Sequence, residues 1–198
     1  MAKNVFISFR YEDGLAYKEY LASLFDLDSD TVDFSEDEDR SKMSEETIRR
    51  YLYNKLRRAS VTIVLITPQA IKHKRNSLYQ CDDWMYDEIR YSLEDRENNR
   101  TNGLVAVYTP EAEFELIEHL GENIDVIKNV DNLFRRNMMN VKWEYKQDGT
   151  SLSTYDRNYD SYCSLISWQD FIDNVDFYLN IAVFKREHIY CYDLVKRI

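Results

Sequence analysis

The sequence predicts an α/β fold, a flavodoxin-like three-layer sandwich built on a five-stranded parallel sheet in the order 2-1-3-4-5. Three observations lead there. Asn4 to Phe9 (NVFISF), Ser60 to Thr67 (SVTIVLIT) and Leu104 to Tyr108 (LVAVY) are apolar runs without strict alternation, the pattern of strands covered on both faces. Amphipathic helical stripes lie between them, so strand and helix alternate with short connections and the strands run parallel. The chain has 198 residues, enough for one sizeable core without disulfides. We therefore expect a single domain over residues 1–198, with an irregular insertion around 110–160.

The elements follow in order. After the first strand, Arg10 to Gly14 forms a loop, and Tyr17, Tyr20, Leu21, Leu24 and Phe25 make the stripe of a first helix. Thr31 to Phe34 reads as a short second strand, followed by a strongly acidic loop from Ser35 to Ser41. Ser44 is a good N-cap for a second helix, with Glu45 and Glu46 against its positive end. That helix turns Ile48, Tyr51, Leu52, Leu56 and Ala59 inward. Ser60 to Thr67 is the third strand, β-branched and ended by Pro68. A polar connection from Gln69 to Asp83 leads to a helix running from Trp84 to about Glu94, and Leu104 to Tyr108 follows as the fourth strand. Pro110 to Gly149 is less regular, with one helix near Asp131 to Met139. Tyr162 to Ile166 reads as the fifth strand. Ser167 caps a final helix whose Trp168, Phe171, Ile172, Val175, Leu179, Ala182 and Val183 form one long apolar stripe.

Composition removes several classes of function. A net charge of −10 speaks against nucleic acid as a partner. No apolar run approaches the ~20 residues of a membrane span, and the charged N-terminus is no signal peptide. Three cysteines without metal-ligand spacing (Cys81, Cys163 and Cys191) suit a reducing cytoplasm. With only four glycines, no Gly-rich phosphate loop can be built, which removes Walker and dinucleotide-fingerprint readings. The acidic stretch from Ser35 to Asp39 reads as a solvated loop before a cation site, so no metal is expected.

The candidate site centres on Trp84-Met85-Tyr86-Asp87-Glu88. Four residues separate Trp84 from Glu88, so a helix projects indole and carboxylate from one face. Both fall beside the stripe of Met85, Ile89, Ser92 and Leu93, where a carboxylate can hold a sugar next to a flat ring. On spacing alone, a rim tryptophan with a solvated glutamate is the commoner meaning. In an open parallel sheet, however, ligands bind beyond the carboxyl ends of the strands where strand order reverses, between the first and third strands. Ser8, Phe9, Arg10 and Tyr11 end the first strand, Asp33, Phe34 and Ser35 the second, and Thr67 the third. Joint placement of these groups around Glu88 carries the reading, since each alone fits a cap or a turn. Other α/β functions fail at the same positions. A phosphate receiver needs acidic residues ending the first strand and Asp ending the third. A flavodoxin needs a Ser/Thr/Gly phosphate loop in place of Arg10-Tyr11-Glu12-Asp13, and a hydrolase needs a nucleophile elbow with a His partner.

NVFISFRYED, SVTIVLIT, DDWMYDEI and RTNGLVAVY together resemble the TIR domain, and more narrowly the TIR-like sensor proteins of the bacterial Thoeris anti-phage system. SLISWQDFIDNVDFYLNIA is similar to the end of those proteins. The resemblance implies an NAD⁺-consuming enzyme, a glycohydrolase and ADP-ribosyl cyclase, with NAD⁺ as substrate and no cofactor. Glu88 would be catalytic, Trp84 would belong to the motif, and Ser8, Phe9, Arg10, Tyr11, Asp33 and Ser35 would line the substrate. The implied products are nicotinamide and an O-glycosidic cyclic ADP-ribose isomer, 1″–3′ linked, which activates a separate effector protein. Self-association and a phage-derived trigger also come with the resemblance. The loop starting near Asp33 departs from the family in being very acidic, without Gly or Pro. Two other readings stay open: a non-catalytic TIR assembly module, and a nucleoside deoxyribosyltransferase-like glycosidase.

Overall fold

The structure is a computed structural model that describes residues 3–27, 31–33, 45–72, 84–95, 100–121, 124–146 and 155–197. Five parallel strands form its centre: β1 (Lys3–Ser8), β2 (Thr31–Asp33), β3 (Val61–Ile66), β4 (Gly103–Tyr108) and β7 (Cys163–Ser167). They lie in the order β2-β1-β3-β4-β7, which is the expected 2-1-3-4-5 arrangement. Every residue of β3 is buried, as its unbroken apolar run requires of a central strand.

Strand parity divides the core in two. Val5 and Ile7 of β1 and Val61, Ile63 and Leu65 of β3 pack with Leu21 and Phe25 of helix α1 (Tyr11–Leu27). Phe171 of α7 (Trp168–Asp173) and Leu179 and Ala182 of α8 (Val175–Glu187) complete that layer. On the opposite face Val64 and Ile66 meet Met85, Ile89 and Leu93 of α4 (Trp84–Leu93). Phe6 meets Leu52 and Leu56 of α2 (Glu45–Leu56) on that same side. The chain thus leaves β1 toward one face and β3 toward the other, which opens a crevice at their carboxyl ends.

Several elements differ from the sequence reading. In α1 the inward positions are Gly14, Lys18, Leu21 and Phe25, while Tyr20 is turned outward. Gly14 packs closely there: a Cβ at this position would sit 3.3 Å from the Phe9 Cβ. The polar connection after β3 contains a short helix α3 (Pro68–Ile71), started by the Thr67 side chain accepting from the Ala70 amide at 3.3 Å. The final stripe is carried by two helices, because Asn174 leaves helical geometry at φ −143° between α7 and α8. Ser167 does cap the first of them, accepting from the Asp170 amide. Between β4 and β7 lie α5 (Pro110–Leu116), an antiparallel ribbon of β5 (Ile117–Gly121) and β6 (Ile124–Ile127), and α6 (Asn132–Arg136). Only α6 was anticipated there, and it is shorter than expected. Asp131 caps it by accepting from the Leu133 and Phe134 amides at 2.8 and 3.1 Å.

The chain after α8 does not extend the helix. It turns through Ile189–Cys191 and runs back over α6, where the buried Asn137 side chain holds Val195 at both backbone N–H and C=O. Arg197 then pairs with Glu94 at 2.7 Å, just past the end of α4.

Candidate active site

α4 forms because Met85, Ile89, Ser92 and Leu93 give it one inward stripe, and all four are buried. It runs antiparallel to β3: Met85 packs near Ile66 and Ala70, whereas Ser92 reaches Thr62 at the other end of the strand. Glu88 lies on the helix between these two contacts, buried at 9% exposure. Its own backbone carbonyl accepts from the Ser92 hydroxyl at 2.7 Å, and that hydroxyl lies 2.8 Å from Thr62 Oγ1. Asn102 adds a donor to Thr62 and is held in turn by the Tyr162 hydroxyl bonded to its carbonyl. A fully buried polar network thus fixes the turn that carries the carboxylate.

Arg10 comes from the other side of the crevice. Its carbonyl accepts the Gly14 amide at 2.7 Å, opening α1, and the guanidinium is half-buried. Burial lowers the Arg10 pKa from its ordinary value, and the negative charges of Glu88, then Glu12 and Asp13, oppose that fall. Glu88 and Arg10 are therefore electrostatic neighbours, although 78 positions separate them in sequence. The helix starts at Tyr11, inside the stretch expected to be a loop, and Asp13 in its first turn accepts the Gln69 amide at 2.9 Å, which links α1 to α3. Phe9 after β1 and Tyr11 at the start of α1 bring their ring centroids within 4.9 Å of each other. Ser8 shares the strand parity of Phe6 and so faces the α2–α4 side. Its hydroxyl is buried and finds no hydrogen-bond partner among the described residues.

The remaining sequence candidates are placed differently. Asp33 points toward α1, where Lys18 approaches it at 4.0 Å, on the face away from α4. Trp84 is the first residue of α4, but its side chain lies outside the described structure, as do Ser35 and the acidic loop. Sequence reasoning missed Asp13 and Lys18. The signal for Lys18 was its spacing of four after Gly14 and three before Leu21 on the inward stripe. Among the described residues no group of three His, Cys, Asp or Glu is placed to hold a metal ion.

A family model described as Thoeris protein ThsB, TIR-like domain, matches residues 6–113, more than half of the chain and all of the crevice. The chain belongs to the ThsB TIR-like family. The match begins inside β1 and ends in α5, so the TIR-like domain contributes both walls, the loop of Arg10 and the helix of Glu88. Membership makes this TIR-like protein a signalling module of Thoeris defence, a system with further components. No described helix of it is long and apolar enough to cross a membrane.

Proposed function

We propose that this TIR-like protein cleaves the nicotinamide–ribose bond of NAD⁺, with Glu88 as its catalytic carboxylate, and closes the remainder into a cyclic ADP-ribose isomer. The observation that carries the reading is the buried Glu88 on a fixed turn of α4, an electrostatic neighbour of Arg10 at the end of β1. The C1–N bond breaks heterolytically, its electron pair moving to the pyridinium nitrogen, so neutral nicotinamide leaves and C1 takes oxocarbenium character. Glu88 offsets that developing positive charge and accepts hydrogen bonds from the adjacent ribose hydroxyls. The leaving group is already cationic, so no acid and no metal are needed for departure. Ring closure follows when a hydroxyl of the adenosine ribose takes the place of water at C1 and gives up its proton, a matter of proximity in a dry site. Arg10, cationic beside the carboxylate, suits the diphosphate of the same substrate. Phe9 and Tyr11 offer ring faces, and the Ser8 hydroxyl a buried donor and acceptor. Trp84 would stack on a ring of the substrate. The cyclic product would then act on a separate effector, and the active form would be a self-associated one.

The test is incubation of concentrated protein with NAD⁺, with chromatography and mass spectrometry following nicotinamide and ADP-ribose species. Glu88→Gln is expected to lower nicotinamide release by about 10²–10³-fold while leaving the fold intact. Unchanged release from a well-folded variant would sink the proposal. Linear ADP-ribose alone would mean hydrolysis in place of cyclisation. Turnover of deoxynucleosides with NAD⁺ ignored would assign the transferase reading instead.

A further inference from the structure

The β5–β6 ribbon stands apart from the central sheet. Its pairs run Ile117↔Ile127, Glu118↔Val126 and His119↔Asp125, and it has two strands only among the described residues. Among the described residues, no strand pairs with the outer edge of either β5 or β6. Such an edge is a template for another strand, and a two-stranded ribbon is marginal in water without a third. This ribbon is nevertheless well anchored at its base. Ile117 and Ile127 pack on the core, the Lys128 amide donates to the Leu116 carbonyl at 2.7 Å, and Asn129 donates to the Glu115 carbonyl at 2.8 Å. His119–Asp125 and Lys128–Glu118, both at 2.6 Å, hold its register.

The charge of the ribbon and of α5 just before it is one-sided: between Pro110 and Val130 the sequence carries Glu111, Glu113 and Glu115 on α5 and Glu118, Glu122 and Asp125 after it, against a single Lys or Arg, Lys128. Interspersed apolar groups stand in solvent: Phe114 is 92% exposed and Leu120 60%. Apolar anchors on an acidic arm with open strand edges suit a basic, extended segment that also carries apolar side chains. The same ribbon of a second copy is excluded by like charge, and a nucleic acid by its own negative charge.

We propose that the β5–β6 ribbon is a docking element that takes a basic, extended segment of another protein as its third strand. The probe is a synthetic heptapeptide alternating lysine with valine, titrated into the whole protein and followed by amide chemical shifts and hydrogen exchange. Binding is expected to shift and protect amides within Ile117–Gly121 and Ile124–Ile127. A central proline in the peptide, raised salt, or the pair Glu113→Lys and Glu115→Lys should each weaken binding by about tenfold or more. Neither glutamate is buried, and unchanged exchange of the β3 amides checks that the fold survives. Four results would overturn the proposal. They are no shift at millimolar peptide, equal binding of a glutamate-for-lysine peptide, protection outside the ribbon, and ribbon shifts that depend on protein concentration alone. The last would make a second copy the occupant. All of these readouts are independent of NAD⁺ turnover.

Discussion

Lys185 is the most unusual single residue outside the crevice. It is 1% exposed on α8, its Nζ donates to the Ser164 hydroxyl, and Cys163 and Asp156 act on it electrostatically. Burial pushes its pKa down from 10.5 to about 7, because a cation loses hydration there without gaining a full counter-charge. The unfolded chain therefore binds the proton more tightly than the folded one between about pH 7 and pH 10.5. Stability should rise across that window by at most about 1.4 kcal/mol per pH unit, with the full penalty present below pH 7. Thermal unfolding at pH 7 and pH 9.5 measures it, and Lys185→Met should flatten the slope and raise the midpoint at pH 7. Above pH 10 the trend reverses, since burial raises Tyr17 to about 12 and Tyr162 well above its usual value, so the folded state then holds the extra protons. In the crevice, Arg10→Gln should lower nicotinamide release by about tenfold or more. Combined with Glu88→Gln it should cost far less than the sum of the two, because both act on one charge distribution.

At the level of elements, two close fits decide where helices sit. A Cβ on Gly103 would lie 2.2 Å from the Ala182 carbonyl oxygen, backbone against backbone. Gly103→Ala should therefore push α8 off the start of β4 and cost about 3 kcal/mol, read as a fall in denaturant midpoint. The second fit is polar. Ser92→Ala removes a donor to the Glu88 carbonyl and leaves the Thr62 hydroxyl with Asn102 alone, so about 1–3 kcal/mol should be lost. The helices that were legible in the sequence are those with an uninterrupted stripe, and α4 matched its expectation almost residue for residue. The break at Asn174 was not legible, because Ile172, Val175 and Leu179 continue the periodicity straight through it. The ribbon was missed for the opposite reason. Ile117, Leu120, Ile124 and Val126 are diluted by charged neighbours, and Ile117 and Ile127 at the stem are the ribbon's described side chains that pack on the core.

For the molecule as a whole, the strand order follows from which runs are fully apolar, and that much is written in β1, β3 and β4. The site is only half as legible. Glu88 and the β1 loop could be joined by the crossover rule, because the chain leaves β1 and β3 toward opposite faces. Asp33 could not be placed that way, since one step of strand parity decides which face a side chain takes, and parity here delivers it to Lys18. Long-range fixtures were beyond sequence altogether: the tail is pinned through Asn137 to Val195 and through Arg197 to Glu94, 103 positions away. Asn137→Ala should loosen this tail, exposing the amides of Asp193 to Val195 to exchange while those of β3 stay protected, as hydrogen-exchange mass spectrometry would show.

The hydroxyls of Thr62 and Ser92, 2.8 Å apart and shut away from solvent, offer a window on the crevice that needs no substrate. A hydroxyl proton so enclosed leaves for bulk water only when α4 lifts from β3, so it should persist long enough to give its own proton resonance. Its line width and exchange rate would then time the breathing of the helix that carries Glu88, in the resting protein and with NAD⁺ added.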